Sequence, residues 1–132
     1  MPLFSLDSEK KLATCHADLQ RVCNEAIKYF NFTVVCGIRG KEEQNKAFNE
    51  KKSKTPWPMS KHNAIPPKLS NAVDLAPFPI KWNDTDRFYY LAGFIMGIAA
   101  KMGIQLRYGG DWDRDTEVQD EKFKDIGHFE VV

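Results

Sequence analysis

The feature that most restricts the fold of this chain is a proline-rich segment from residue 52 to residue 69. Its four prolines are Pro56, Pro58, Pro66 and Pro67. Proline fixes φ and lacks an N–H donor, which excludes a helix interior and a central strand here. Loops of this length in compact domains are usually functional or disordered. Because the segment contains His62, one of 3 histidines in the chain, we expect it to be functional.

The residues before this segment predict a helix, a strand and a second helix. Apolar residues recur at steps of three and four from about residue 7 to residue 30, which indicates an amphipathic helix capped by Asp7 or Ser8. Residues 32 to 36 are rich in β-branched and aromatic side chains and predict a buried strand. Residues 41 to 50 predict a shorter helix.

The residues after the segment predict a strand, a long helix and two further strands. A short strand is predicted over residues 71 to 75, and a helix from about residue 84 to residue 102 that ends at Gly103. Strands follow over residues 104 to 108 and from about Gly127. Together the elements predict an α+β fold in a single domain, with a small, mainly antiparallel sheet packed against two or three helices.

Composition and charge exclude several classes of protein. The net charge of +1 gives no basic surface for nucleic acid. No stretch approaches the roughly 20 apolar residues of a membrane span. The N-terminus has no basic region followed by an apolar one, so no secretory signal is predicted. The cysteines Cys15, Cys23 and Cys36 lack a CxxC spacing, which predicts buried free thiols and synthesis in a reducing compartment.

Two histidines and an aspartate are candidate metal ligands. His62, Asp74 and His128 form a set that holds a catalytic zinc and leaves one coordination position open. The spacing alone leaves other interpretations open, because an isolated histidine is more often structural and Asp74 could belong to a turn. His16, on the first helix, is interpreted as structural.

The residues around His128 offer two candidates for a general base. Asp125 lies three residues earlier and could take the proton of a metal-bound water, if Gly127 supplies a bend between them. Glu130 lies on the same strand face as His128. It is the rival base, or a carboxylate that orients a ligand.

Segments of the chain match a set of known motifs in order. Residues 60–63 and 70–75 look like an S-x-H…A-x-D motif, and residues 36–44 resemble a G-x-R-S-x-x-x-Q segment. Residues 107–112 are similar to a W-G-G-D-W stretch, and residues 125–128 resemble a terminal D/E-x-x-H motif. The chain thus resembles the peptidoglycan-cleaving zinc peptidases, which include D-alanyl-D-alanine carboxypeptidases and phage L-alanyl-D-glutamate endopeptidases with a hedgehog-like fold.

The resemblance implies one zinc peptidase domain over residues 1–132. It implies hydrolysis of a stem-peptide amide bond, L-Ala–D-Glu, by a phage or prophage endolysin. The implied site residues are the Zn²⁺ ligands His62, Asp74 and His128, the base Asp125, and Arg39 as the oxyanion-stabilising group. A D-Ala–D-Ala carboxypeptidase and a non-catalytic, metal-stabilised wall-binding module are the alternatives.

Three positions depart from the family pattern. Gly40 stands where a serine is usual, Ser70 replaces a glycine, and Asp125 replaces a glutamate. The shorter side chain of Asp125 has to lie closer to the attacking water. We expect a monomer, made in the host cytoplasm without a signal peptide, which acts on the cell wall after release and binds no nucleic acid.

Weaker signals concern substrate and calcium. Ser60 and Trp112 are candidate substrate-binding residues, with core packing as the alternative for Trp112. Asp111, Asp113 and Asp115 alternate like the start of a calcium loop. The loop lacks the glycine and glutamate of that motif, so a solvated acidic loop is the alternative.

Overall fold

A four-stranded sheet forms the centre of the structure, a computed structural model that describes residues 2–132. Its strands are β1 (Phe32–Cys36), β2 (Ala72–Pro77), β3 (Leu106–Tyr108) and β4 (His128–Val131). Their order across the sheet is β1-β2-β4-β3, and every neighbouring pair is antiparallel. The predicted antiparallel sheet is confirmed. Between β1 and β2 the chain contains the proline-rich segment, which has neither helix nor strand, as predicted.

The helices cover the sheet and each other. They are α1 (Leu6–Leu12), α2 (Ala17–Ala26), α3 (Lys41–Asn49) and α4 (Thr85–Met102). Helix α1 lies against β1, and α2 packs against α4. The α+β class is confirmed, although the described chain has four helices where two or three were predicted. No helix among residues 2–132 combines the length and apolar character of a membrane span.

The single N-terminal helix predicted over residues 7–30 is wrong, because the structure divides it in two. At the break, the His16 N–H donates to the Ser70 carbonyl (2.7 Å) and the Ser70 N–H donates to the Thr14 carbonyl (2.8 Å). These bonds to a distant part of the chain replace helical bonds. A continuous apolar period therefore does not guarantee a continuous helix.

The caps of these two helices also differ from the prediction. Ser5 caps α1, rather than Asp7 or Ser8, and its Oγ accepts a hydrogen bond from the Ser8 N–H (3.1 Å). His16 caps α2, where its Nδ1 accepts from the Asp18 N–H (3.0 Å). Each cap satisfies an N–H that has no partner within the helix. The structural interpretation of His16 is consistent with this role.

The core lies between the helices and one face of the sheet. Its fully buried side chains include Leu19, Val22, Leu91 and Ile95 from the helices, and Val34, Leu75 and Phe129 from the strands. Burial of each large apolar side chain contributes about 1.5–3 kcal/mol. At the end of α4, Gly103 has φ 73°, the left-handed conformation that favours glycine, as predicted.

The start of β4 requires a residue without a side chain. The bend predicted at Gly127 is a turn in which the His128 N–H donates to the Asp125 carbonyl (3.0 Å). A Cβ on Gly127 would lie 2.6 Å from the Leu75 carbonyl oxygen. The Leu75 N–H donates to the Gly127 carbonyl (2.7 Å). The glycine is therefore needed for the close approach of β2.

Gly127→Ala should destabilise the protein by about 1–3 kcal/mol, because the added methyl group meets backbone that cannot move independently. The matched control is Gly97→Ala at an exposed position of α4, where a Cβ meets nothing within 4 Å. That change should be neutral or stabilising by up to about 1 kcal/mol. Urea unfolding measures both. Equal stability of the two variants would contradict the close packing at Gly127.

Candidate active site

Asp74 lies in the middle of the sheet with a candidate ligand on each neighbouring strand. It pairs with His128 of β4 and with Cys36 of β1, next to an irregularity in the β1 register. Residues directly opposite each other in an antiparallel pair have neighbouring side chains on one face. The strand register alone therefore brings these side chains together.

His62 reaches the same place from the proline-rich segment. Its carbonyl oxygen accepts a hydrogen bond from the Arg39 N–H (2.9 Å), and its N–H donates to Ser60 Oγ (3.2 Å). The Asn63 side chain donates to the Arg39 carbonyl (3.3 Å). These bonds hold the segment beside the chain that follows β1. His62 is thereby only 3% exposed.

The two histidines present one nitrogen each to the same carboxylate oxygen. Asp74 Oδ1 lies 3.2 Å from His62 Nε2 and 3.2 Å from His128 Nδ1. The other nitrogens have acceptors of their own: the Gly37 carbonyl is 2.8 Å from His62 Nδ1, and Glu130 Oε1 is 2.8 Å from His128 Nε2. A hydrogen bond at one nitrogen determines which nitrogen is left for a metal. Both rings therefore turn their remaining nitrogen towards Asp74.

Candidate ligand atoms around Asp74 lie close enough together to hold a divalent metal ion, although the two histidines belong to different groups. Tetrahedral zinc with ligands at about 2.1 Å separates them by about 3.4 Å, close to the 3.2 Å found at Asp74. Candidate ligands form two overlapping groups, Cys36 with His62 and Asp74, and Asp74 with Asp125 and His128. Cys36 Sγ contacts His62 at Nδ1 (3.9 Å), the nitrogen that already faces the Gly37 carbonyl. The ring geometry therefore favours Nε2, directed at Asp74, as the metal-binding atom.

Asp125 and Glu130 contact different nitrogens of the His128 ring. Asp125 Oδ2 is 3.8 Å from Nδ1, the nitrogen that faces Asp74, and its side chain is 47% exposed. Glu130 contacts Nε2, and its side chain is 8% exposed. The Glu130 carboxylate also lies 3.6 Å from the Arg107 guanidinium. Asp125 thus lies on the ligand side of the ring, whereas Glu130 lies behind it.

Arg39 lies beside the carboxylate of Asp74. Its Nη2 is 3.7 Å from Asp74 Oδ2, and its Nη1 donates to Gln44 Oε1 (3.1 Å). The side chain is 18% exposed, so the guanidinium is held at the edge of the site rather than in solvent.

Gln44 lies next to the site, and the sequence alone predicts no role for it. It is fully buried, and its Oε1 also accepts from the Asn63 side chain (2.9 Å). Its Nε2 donates to Ser53 Oγ (2.9 Å) and to the Thr55 carbonyl (2.6 Å). One amide therefore ties Arg39 to the proline-rich segment. The only signal was its place at the end of the motif over residues 36–44, to which no role was given.

Hydrogen bonding outweighs burial in determining the charges of the site. Burial disfavours a charged Asp74, but hydrogen bonds with His128 and His62 hold its pKa well below the usual value. Burial likewise opposes a charged His62, yet its bonds with Asp74 and Cys36 raise its pKa to about 10. The pKa of His128 is also raised, against burial, by bonds with Asp74 and Glu130.

The pKa of Asp125 is shifted in the opposite direction to that of Asp74. Burial and the negative charge of Asp74 raise the pKa of the Asp125 carboxyl. A raised pKa makes a carboxylate a stronger proton acceptor, which suits a general base.

An open cavity of about 340 Å³ leads to these groups. Ser60 and Trp112, the two predicted substrate-binding residues, both line it. The centroids of the Trp112 and His128 rings are 5.4 Å apart. The Trp112 Nε1 donates to the Phe123 carbonyl (2.8 Å). Trp112 therefore packs against a candidate ligand and also faces the cavity.

The chain is similar to known proteins along nearly its whole length. A sequence model of the family described as phage L-alanyl-D-glutamate peptidase matches residues 2–132. The chain belongs to this family. The L-alanyl-D-glutamate peptidase of Escherichia phage T5 is 34% identical over 139 residues, which cover 98% of this chain and 97% of that protein. The crystal structure of the Serratia marcescens L-Ala D-Glu endopeptidase ChiX matches with a TM-score of 0.77 and 26% identity, covering 98% of this chain and 90% of that one.

In this phage peptidase family member, the predicted site residues come together although they are far apart in sequence. Asp74 and His128, for example, are separated by 54 positions. The residues that converge are Arg39, His62, Asp74, Asp125 and His128. Family membership is confirmed, whereas the roles of the individual residues stay predictions.

The calcium prediction has no support beyond the carboxylates themselves. Asp111, Asp113, Asp115 and Glu121 lie close together. Asp111 accepts hydrogen bonds from the backbone N–H groups of Asp115 (3.2 Å) and Thr116 (2.9 Å). These bonds within the loop explain the position of Asp111 without an ion, and the loop is largely exposed.

The metal-free protein should lose stability as the pH rises above 6.5. The pKa of His62 is raised from 6.5 to about 10 on folding. Its contribution is fully present below pH 6.5 and is lost as the pH rises towards the folded pKa. We expect a loss of at least about 1 kcal/mol between pH 6.5 and pH 9 in urea unfolding with a chelator present.

His62→Gln provides the control for that measurement. It removes the titrating ring, so the pH dependence over the same range should become smaller. A flat profile for the unsubstituted protein, or an unchanged slope in the variant, would contradict the proposed ion pairing of His62 with Asp74.

Proposed function

We propose that this chain is a zinc-dependent endolysin peptidase that hydrolyses the L-Ala–D-Glu bond of the peptidoglycan stem peptide. The observation that supports this best is the convergence of His62 Nε2 and His128 Nδ1 on Asp74 Oδ1. The names of the phage T5 and Serratia relatives support the choice of bond. We further propose that the chain acts as a monomer, after release to the cell wall.

His62, Asp74 and His128 would hold the zinc ion. When bound, zinc polarises the scissile carbonyl and lowers the pKa of a coordinated water. The Gly37 carbonyl and the Glu130 carboxylate keep each imidazole in the required orientation by accepting the proton of its other nitrogen. Loss of either acceptor would let the ring rotate or change tautomer.

Asp125 is the proposed general base. It lies on the ligand side of His128, it is half exposed to the cavity, and its pKa is raised. In this position it can take a proton from the attacking water and later deliver it to the leaving amine nitrogen. Glu130 is the weaker candidate because it is buried and already bonded to His128 Nε2.

Arg39 is the proposed oxyanion-stabilising group. Gln44 and Asp74 hold its guanidinium at the edge of the cavity. A fixed positive charge next to the carbonyl oxygen stabilises the negative charge that develops there without further reorganisation.

The metal content of purified protein should distinguish a histidine that is a proposed zinc ligand from one that only caps a helix. His128→Ala removes a proposed ligand and should lower bound zinc from about one ion per chain to near zero. His16→Ala is the matched control, since His16 only caps α2. It should retain the zinc and lose about 1 kcal/mol of stability. Elemental analysis after dialysis measures both. Equal zinc content in the two variants would contradict the proposed ligand set.

Asp125→Asn should retain zinc and reduce cleavage of purified sacculi by about 10²–10⁴-fold, because the amide cannot accept the proton. Glu130→Gln should reduce activity less, by about 10–100-fold, since it perturbs only the orientation of His128. Turbidity loss gives the rate, and mass spectrometry identifies the bond.

The fragments also separate the alternative functions. New N-terminal glutamate identifies the proposed endopeptidase, and free D-alanine would identify a carboxypeptidase instead. Binding to sacculi without any cleavage would indicate a wall-binding module. A larger loss in Glu130→Gln than in Asp125→Asn would transfer the role of base to Glu130.

A further inference from the structure

The substrate proposed above has a charge next to the scissile bond. Glutamate has two carboxyl groups, and a stem peptide uses only one of them to continue the chain. The other stays as a carboxylate close to the amide that is cut. A cleft that binds this residue needs a cation to compensate the lost hydration of that carboxylate.

The cavity at the histidines has four cations on its wall, namely Arg39, Lys52, Lys54 and Lys61. Three of them already have partners. Arg39 lies beside Asp74, Lys52 Nζ is 3.1 Å from Glu50 Oε1, and Lys61 Nζ donates to the Val131 carbonyl (3.4 Å).

Lys54 forms no salt bridge with any group among residues 2–132. Its Nζ instead lies over the ring of Phe123, 4.2 Å from the centroid. The Phe123 ring stacks on Trp112 with an interplanar angle of 9°, and Trp112 packs on His128. A chain of aromatic contacts thus holds a free ammonium group at the wall of the same cavity as the proposed metal ligands.

The backbone that carries Lys54 is also held in place. Gln44 donates to Ser53 Oγ and to the Thr55 carbonyl, on either side of Lys54. The same amide accepts from Arg39. The position of the ammonium is therefore linked to that of the proposed oxyanion group, although the segment has no regular secondary structure.

A second cavity, of about 240 Å³, adjoins the other side of Asp74 and Asp125. Its lining is mainly apolar and includes Leu75, Trp82 and Phe88. Such a surface suits the small apolar alanine side of the substrate better than the acidic side. Lys124 is the cation on its wall, and neither proposed histidine ligand lines this cavity.

We propose that Lys54 binds the free carboxylate of the glutamyl residue and so sets the direction of the stem peptide across the site. This inference rests on the proposed function. The glutamyl side would lie in the cavity of Lys54, and the alanyl side would lie along Asp125 towards Trp82. The ammonium would exchange its contact with the Phe123 face for a charged hydrogen bond.

The test compares two synthetic stem peptides that differ in one group. One has the free carboxylate on the D-glutamyl residue, and the other has a carboxamide in its place. The zinc-loaded enzyme should cleave the acid with a kcat/KM about five- to fiftyfold higher than that for the carboxamide. This range runs from the free energy of an exposed ion pair to that of a hydrogen bond with a charged group. This ratio should decrease with added salt, because Lys54 is exposed.

Lys54→Met should lower the ratio to about one, and Lys54→Arg should retain most of it. Two control variants should keep the ratio of the unsubstituted enzyme. Lys52→Met removes a paired cation from the same wall, and Lys124→Met removes the cation of the second cavity. A general structural defect would lower cleavage of both peptides and leave the ratio unchanged.

Several outcomes would overturn the inference. One is a ratio near one in the unsubstituted enzyme, and another is a ratio that Lys54→Met leaves unchanged. A third is loss of the ratio in Lys124→Met, which would place the glutamyl side in the second cavity and so reverse the direction of the substrate. Cleavage of neither peptide by the zinc-loaded, unsubstituted enzyme would instead contradict the proposed function itself. The two failures are therefore distinguishable.

Discussion

The site depends on one partly buried carboxylate that two imidazoles share. A charged carboxylate removed from water is costly unless hydrogen bonds and opposite charges compensate it. Asp74 has this compensation from His62, His128 and Arg39, each on a different part of the chain. The pairing of β2 with β4 supplies one partner, and the proline-rich segment supplies another. Any shift of either would remove one of the three partners of the carboxylate, so fold and site constrain each other.

The proline-rich segment is positioned by polar contacts rather than by regular structure. Gln44 donates to it at residues 53 and 55, and the bonds of Arg39 with His62 and Asn63 hold its second half. A buried amide with all these partners satisfied is rigid, because breaking one bond leaves a polar group unpaired. This explains how a segment without helix or strand can hold the proposed ligand His62, and the backbone of Lys54, in defined positions.

The proposed division of roles between the two carboxylates near His128 follows from which nitrogen each one contacts. Glu130 is the nearer in space, at 2.8 Å, but it lies behind the ring. Asp125 is farther, at 3.8 Å, but it shares the side of Asp74 and of the open cavity. Nearness to a histidine is therefore a poor guide to a general base, since a second carboxylate often serves to orient the ring.

The sequence by itself determined the α+β class, the irregular segment, the alternation that puts His128 and Glu130 on one strand face, and the residues that converge. These follow from local periods, from the backbone limits of proline and from motif resemblance. Only the tertiary structure decided where the N-terminal helix breaks, which nitrogen of each histidine faces Asp74, and that Gln44 and Cys36 belong to the surroundings of the site. The reason is physical: strand order and register, together with bonds such as those at Ser70, join residues that no local pattern relates.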